Sequence, residues 1–170
     1  NPDSWEGWHW GATHTYGFFW RLGMPEPYDM LEDGLKNAEM IVYWSNDPET
    51  TRGVYTGQDS AIWRRWLREK GVKMVVIDPY HNSTAGPMDA KWIAPRPGTD
   101  AALAMAIAYV WITEGTYDKQ YVADRTVGFE EFRRLVMGEV DGVARTPGWA
   151  AEECGVPVRT IVALARDWAR

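Results

Sequence analysis

Cysteine is almost missing: Cys154 is the only one in a chain of 170 residues. The chain can therefore close no internal disulfide, and it cannot supply the four thiolates of an iron–sulfur cluster. Cys154 stands before Gly155 and reads as a core residue at a helix end, not as a nucleophile. No G-x-S-x-G elbow offers an alternative nucleophile. Cations are the minority, with 18 Lys and Arg against 24 Asp and Glu and a net charge of -6. That balance excludes a nucleic-acid or anionic-membrane surface, which would need clustered Lys and Arg, so any anionic ligand must be met by local groups. No apolar run approaches the roughly 20 residues that span a bilayer, and Asn1 does not open a charged-then-apolar signal segment. Histidine is scarce too. His9 and His14, five apart, miss the one-face spacing of a helical zinc pair, and there is no HExxH or paired-Cys motif, so no zinc site is expected. The two are read as polar packing.

What is abundant is tryptophan, with 11 residues, four of them between Trp5 and Trp20. Either core packing or an aromatic wall beside a ligand would account for the excess. With 45% apolar and 25% charged residues the chain suits one soluble domain. The start without Met, and an end at Arg170 inside a helical pattern, lead us to expect a piece of a longer chain.

Residues 1–27 carry no clean period apart from a weak helical stretch at Ala12 to Leu22. Tyr28 to Asn37 places Met30, Leu31 and Leu35 at helical spacing. Met40 to Trp44 is a short, almost wholly apolar run, as in a buried strand. Ala61, Ile62, Trp63, Trp66 and Leu67 then form one helical stripe, with Arg64, Arg65, Arg68 and Glu69 opposite. Gly71 is placed to stop that helix, and Val72 to Ile77 is a second apolar run, stopped by Asp78-Pro79. The unit reads as βαβ, with parallel strands and a right-handed crossover. A third strand is expected at Trp92 to Ala94, then a helix from Ala101 to Glu114 capped by Thr99 or Asp100 and ended by Gly115. Further helices are read at Lys119 to Asp124, Phe129 to Met137, Pro147 to Glu153 and Val158 to Ala169. The fold class is α/β: a Rossmann-like, three-layer domain with a mostly parallel sheet.

In open parallel sheets ligands bind beyond the carboxyl ends of the strands. Three such ends open into polar loops: Ser45 to Thr51, Asp78 to Thr84 and Pro95 to Asp100. Their hydroxyls, amides, carboxylates and helix-start N–H groups suit phosphate, ribose or guanine. Asp78 has two readings, a ribose ligand or an Asx turn. The loop after the first strand lacks G-x-G-x-x-G, and no G-x-x-x-x-G-K-[ST] occurs, which argues against an ordinary NAD or ATP site.

Three ordered segments carry a resemblance: Trp44-Ser45-Asn46-Asp47-Pro48-Glu49-Thr50, Ile77-Asp78-Pro79 with Thr84-Ala85, and Trp92 through Asp100. They resemble successive cofactor-binding segments of the dimethyl sulfoxide reductase family, and Asp118 to Phe129 and Asp141-Gly142 to Trp149-Ala150 extend the likeness over nearly the whole chain. The resemblance implies a molybdopterin guanine dinucleotide, paired with a second on one molybdenum or tungsten. It implies contacts at Trp44, Ser45, Asn46, Asp47, Pro48, Glu49, Thr50, Thr51, Asp78, Pro79, Tyr80, His81, Asn82, Gly98, Thr99 and Asp100. Tyr80 departs from the family pattern, since many relatives carry Arg there. The metal's protein ligand normally precedes such a segment, so no catalytic or metal-ligating residue is assigned.

Asp3 through Ala12, together with Asp47-Pro48-Glu49-Thr50-Thr51-Arg52-Gly53, is most similar to the transhydroxylase branch of the family. That branch implies hydroxyl transfer between positions of a small aromatic substrate, a small iron–sulfur partner subunit with 4Fe–4S clusters, and a cytoplasmic location. An S-oxide or N-oxide reductase of the same family, periplasmic in that case, is the alternative. A free-standing nucleotide-binding module is a second, and an interaction domain that binds neither guanine nucleotides nor pterin a third.

Overall fold

The computed structural model describes residues 34–50 and 59–169. The expected helix at Ala12 to Leu22, the Trp-rich opening with His9 and His14, and Thr51 to Gly53 lie outside the described residues. The backbone forms two compact units, residues 1–39 with 48–72 and residues 40–47 with 73–170.

In the first unit a helical turn occupies 34–37, and helix α1 runs Asp59–Glu69, followed by Gly71 at φ +89°. Its faces differ from the sequence expectation. Arg64, expected on the solvated face, is only 9% exposed, whereas Ile62 and Trp66 are about half exposed, at 45% and 49%. The reason is an ion pair: the Arg64 guanidinium meets Glu49 Oε1 at 2.7 Å and donates to the Pro48 carbonyl at 3.2 Å. A guanidinium can be buried when a carboxylate and a carbonyl take its protons.

The second unit is built on a parallel sheet in the order β1-β2-β3, with β1 at Met40–Trp44, β2 at Lys73–Ile77 and β3 at Lys91–Ile93. Parallel pairing with α1 in the β1–β2 connection agrees with the βαβ reading. Side chains alternate between faces. Met40, Val42 and Trp44, Val75 and Ile77, and Ile93 all meet one apolar cluster. Tyr43, Met74 and Val76, on the opposite face, are buried as well, which explains why β2 reads as a continuous apolar run; in β1, expected as a buried strand, only Tyr43 is buried and its neighbours are half-buried.

The cluster is completed by helices α2 (Asp100–Glu114), α5 (Pro147–Cys154) and α6 (Val158–Trp168). Leu103, Ala106, Ile107 and Val110 of α2 pack with Ala150, Cys154, Ile161, Leu164 and Ala165. Cys154 is fully buried, in keeping with its reading as a core residue. Between them lie α3 (Lys119–Arg125), capped by Asp118, and α4 (Phe129–Val136). Thr146 caps α5 by accepting from the Trp149 amide. No helix among the described residues is long and apolar enough to cross a membrane.

Candidate functional site

Trp44, Ile77 and Ile93 stand at one level of the sheet. Parallel pairing thus brings the three loop starts, Ser45, Asp78 and Ala94, to a single edge. Ser45 adopts φ +48°, a conformation that costs a non-glycine residue of order 1 kcal/mol and persists only when its surroundings hold it. Here its amide donates to the Ile77 carbonyl at 2.8 Å. The chain beyond it therefore leaves the sheet at a fixed angle.

The first two loops are tied together by a buried polar network. Asp78 Oδ1 accepts from the Tyr80 amide at 3.2 Å, an Asx turn, and its Oδ2 accepts from Asn82 Nδ2 at 3.1 Å. Asn82 also donates to the Asn46 carbonyl at 3.4 Å, while its Oδ1 accepts from the amides of Thr84 and Ala85 at 3.1 and 3.2 Å. Asp47 Oδ1 accepts from the Thr84 hydroxyl at 2.6 Å, and Oδ2 from the Ser83 amide at 3.3 Å. Asp78, Asn82 and Thr84 are 6%, 2% and 0% exposed, so each polar group is matched as burial demands. Pro79, Tyr80 and His81 are exposed. His81 stands edge-on to Trp92 at 5.3 Å between ring centres, and the Trp92 indole N–H donates to the Asp78 carbonyl at 2.9 Å.

The third loop turns at Gly98, whose φ of +78° would strain any residue with a Cβ. Thr99, the N-cap of α2, makes no side-chain cap bond to the helix; its hydroxyl donates to the Arg96 carbonyl at 2.7 Å. Asp100 therefore opens α2 at the positive end of its dipole. Its Oδ1 accepts from Trp44 Nε1 at 2.7 Å and from the Ser45 hydroxyl at 3.4 Å. Its Oδ2 takes no hydrogen bond among the described residues. The Trp44 ring itself packs against the core.

Trp44, Ser45, Asn46, Asp47, Asp78, Pro79, Tyr80, His81, Asn82, Gly98, Thr99 and Asp100 thus share one compact unit. Pro48, Glu49 and Thr50 belong to the other, where Glu49 holds Arg64. Sequence reasoning placed Thr84 and Arg96 in the matching segments but gave neither a role. The role of Thr84 is not legible in sequence, since its partner Asp47 is 37 residues away. That of Arg96 has a sequence signal: the last turn of α5 holds Glu152 and Glu153 and no basic residue.

Chemically, the edge offers a free carboxylate oxygen, hydroxyls and amides, and no Lys or Arg at 44–47, 78–84 or 98–100. A carboxylate that only accepts suits a ligand rich in N–H and O–H donors, such as guanine or ribose. A phosphate would have to rely on backbone N–H groups and the α2 N-terminus. No group of His, Cys, Asp and Glu that could hold a metal occurs among the described residues.

An α/β unit with a donor-seeking edge at its strand ends is what the fold and site define, and comparison with known proteins specifies which kind. The family model of the molybdopterin oxidoreductases matches residues 9–165, and the chain belongs to that family. It is 58% identical over 170 residues to the pyrogallol hydroxytransferase large subunit of Pelobacter acidigallici, covering 100% of this chain and 19% of that protein. It is 35% identical over 170 residues to a dimethyl sulfoxide reductase of Haemophilus influenzae, covering 92% of this chain and 20% of that protein. Among solved structures, acetylene hydratase from Pelobacter acetylenicus matches with a TM-score of 0.59 at 26% identity, over 77% of this chain and 16% of that one. The chain spans about a fifth of the length of these curated relatives.

Proposed function

We propose that this chain is the part of a molybdenum enzyme that holds one molybdopterin guanine dinucleotide of a pair, and that the whole enzyme moves a hydroxyl between positions of an aromatic ring, pyrogallol to phloroglucinol. The observation that carries the reading is the 58% identity, over the whole chain, to a pyrogallol hydroxytransferase large subunit. Residues 1–170 are taken as one cofactor-binding domain, since the family match runs through both compact units. When bound, the metal–pterin centre, with molybdenum or tungsten, supplies the redox chemistry.

The residues of this chain contribute position. Asp100 Oδ2 accepts from guanine or ribose donors, Ser45 and Asn46 add hydrogen bonds from the adjoining loop, and the Gly98–Thr99 turn brings backbone close to the ligand. Trp44 holds the Asp100 carboxylate in place, and Asp78 and Asp47 shape the loops. Pro79, Tyr80 and His81 form the outer wall, while Pro48, Glu49, Thr50 and Thr51 follow Asp47 in sequence and are the further cofactor contacts that the family resemblance implies. A small iron–sulfur subunit is the partner, and the compartment is the cytoplasm.

The test is elemental and nucleotide analysis of the full-length protein for molybdenum, tungsten, iron and acid-released GMP. GMP in the paired stoichiometry to the metal, with turnover of trihydroxybenzenes, is the expected result. The absence of both metal and GMP overturns the cofactor reading. The 35% identity to a dimethyl sulfoxide reductase supports a second reading: reduction of S-oxides with no action on trihydroxybenzenes would establish it instead.

A further inference from the structure

Arg96 stands two residues before the Gly98 turn, and its hydrogen bonds lead to the end of another helix. Its guanidinium Nη1 donates to the carbonyls of Glu152 and Glu153 at 2.6 and 3.1 Å. Its amide donates to the Cys154 carbonyl at 2.8 Å, and its own carbonyl accepts from the Thr99 amide at 3.2 Å and the Thr99 hydroxyl at 2.7 Å. The last carbonyls of a helix have no partner within it. In α5 those carbonyls lie beside two acidic side chains and no basic one, where the dipole favours a cation. Arg96 supplies that cation from a different loop. Because Ala150 and Cys154 are fully buried, α5 is a fixed point, and whatever is bonded to its end is fixed with it.

We propose that Arg96 is a positioning residue: it clamps the Arg96–Thr99 turn to the C-terminus of α5 and thereby sets where Asp100 opens α2. The inference rests on the reading above, in which Asp100 meets the nucleotide. It adds a residue that touches no cofactor yet governs how well the cofactor is held.

The experiment compares full-length Arg96→Ala and Arg96→Lys with Thr146→Ala, which removes the N-cap of the same helix and leaves the clamp intact. The readouts are amide hydrogen exchange at Thr99 and Leu103, and GMP and metal retained after prolonged dialysis. Arg96→Ala is expected to speed Thr99 exchange at least about tenfold, the worth of one hydrogen bond to a charged group, and to lose GMP faster. Arg96→Lys is expected to recover part of both, and Thr146→Ala to change neither. If Arg96→Ala does not fold, Arg96→Gln takes its place. Unchanged Thr99 exchange overturns the proposal, as does equal GMP loss in Thr146→Ala, which would make Arg96 only a contributor to helix stability. Wild-type protein without GMP or metal refutes the cofactor reading alone, and the clamp is then judged by hydrogen exchange.

Discussion

Asp100→Asn separates the two duties of the Asp100 carboxylate. One oxygen accepts from the Trp44 indole at 2.7 Å, and the other takes no hydrogen bond among the described residues. In the asparagine variant the amide oxygen can keep the Trp44 bond, while the amide nitrogen replaces the second oxygen. That group then donates where the proposed ligand also donates. A hydrogen bond to a charged group contributes about 1.5–3 kcal/mol, so retention of the nucleotide should fall by roughly ten- to a hundredfold. Loss of the negative charge at the start of α2 costs a further ~0.3–1 kcal/mol, but that falls on folding and not on the ligand. Asp100→Ala should be worse in both respects, because the part-buried indole N–H loses its acceptor at a cost of about 1–3 kcal/mol. The assay is GMP and molybdenum per protein in full-length variants after dialysis, with thermal midpoints measured alongside. A wild-type GMP content in Asp100→Asn would refute the assignment of Asp100 Oδ2 to the nucleotide.

Thr84→Val keeps the shape of a fully buried residue but removes the hydroxyl that donates to Asp47 at 2.6 Å; a loss of about 1–3 kcal/mol is expected, with Thr84→Ser close to wild type by urea unfolding. Leu103→Ala opens a cavity where α2 meets the sheet and should cost about 2–5 kcal/mol, read as a lower thermal midpoint; a change below ~1 kcal/mol would show that the cluster collapses around the gap. The hydrogen bond from Arg166 holds the Glu114 carboxyl below the usual glutamate range. A depressed folded-state value means that the pair stabilises the fold above the ordinary glutamate pKa of about 4.3 and ceases to as pH falls through the folded value. Wild type and Glu114→Gln should therefore differ slightly at neutral pH and converge in acid, and added salt should narrow the gap because the pair is exposed. A gap that widens in acid would show the sign to be wrong.

Periodicity and stop signals made the second unit's elements readable. β1 matches the apolar run at Met40 to Trp44, and α2 runs from Asp100 to Glu114 with Gly115 at φ +65° after it. These patterns are local, and each belongs to residues that pack wholly or partly against the core. The third strand is Lys91–Ile93 and not Trp92 to Ala94, because three residues give too short a window to fix a boundary. Arg64 was misplaced for a different reason: spacing shows which residues share a face, not that Glu49 lies close enough to neutralise a cation there. Trp44 is read in sequence both as the end of the first apolar run and as the start of the cofactor segment. Its ring belongs to the core, and only its N–H reaches the edge.

Asp78 and Asp100 illustrate how the site divides its charges. In sequence the two are equivalent, each an acid at a strand or helix end in a loop of the matching family. In the structure Asp78 is buried and spends both oxygens on Tyr80 and Asn82, whereas one oxygen of Asp100 takes no hydrogen bond among the described residues. Asp47 is likewise committed to Ser83 and Thr84. Three unpaired carboxylates at one edge would repel a pyrophosphate; with Asp47 and Asp78 locked into loop structure, Asp100 Oδ2 is the one carboxylate oxygen of the three acids without a hydrogen bond among the described residues. That acceptor sits at the start of α2, where free N–H groups offset its charge.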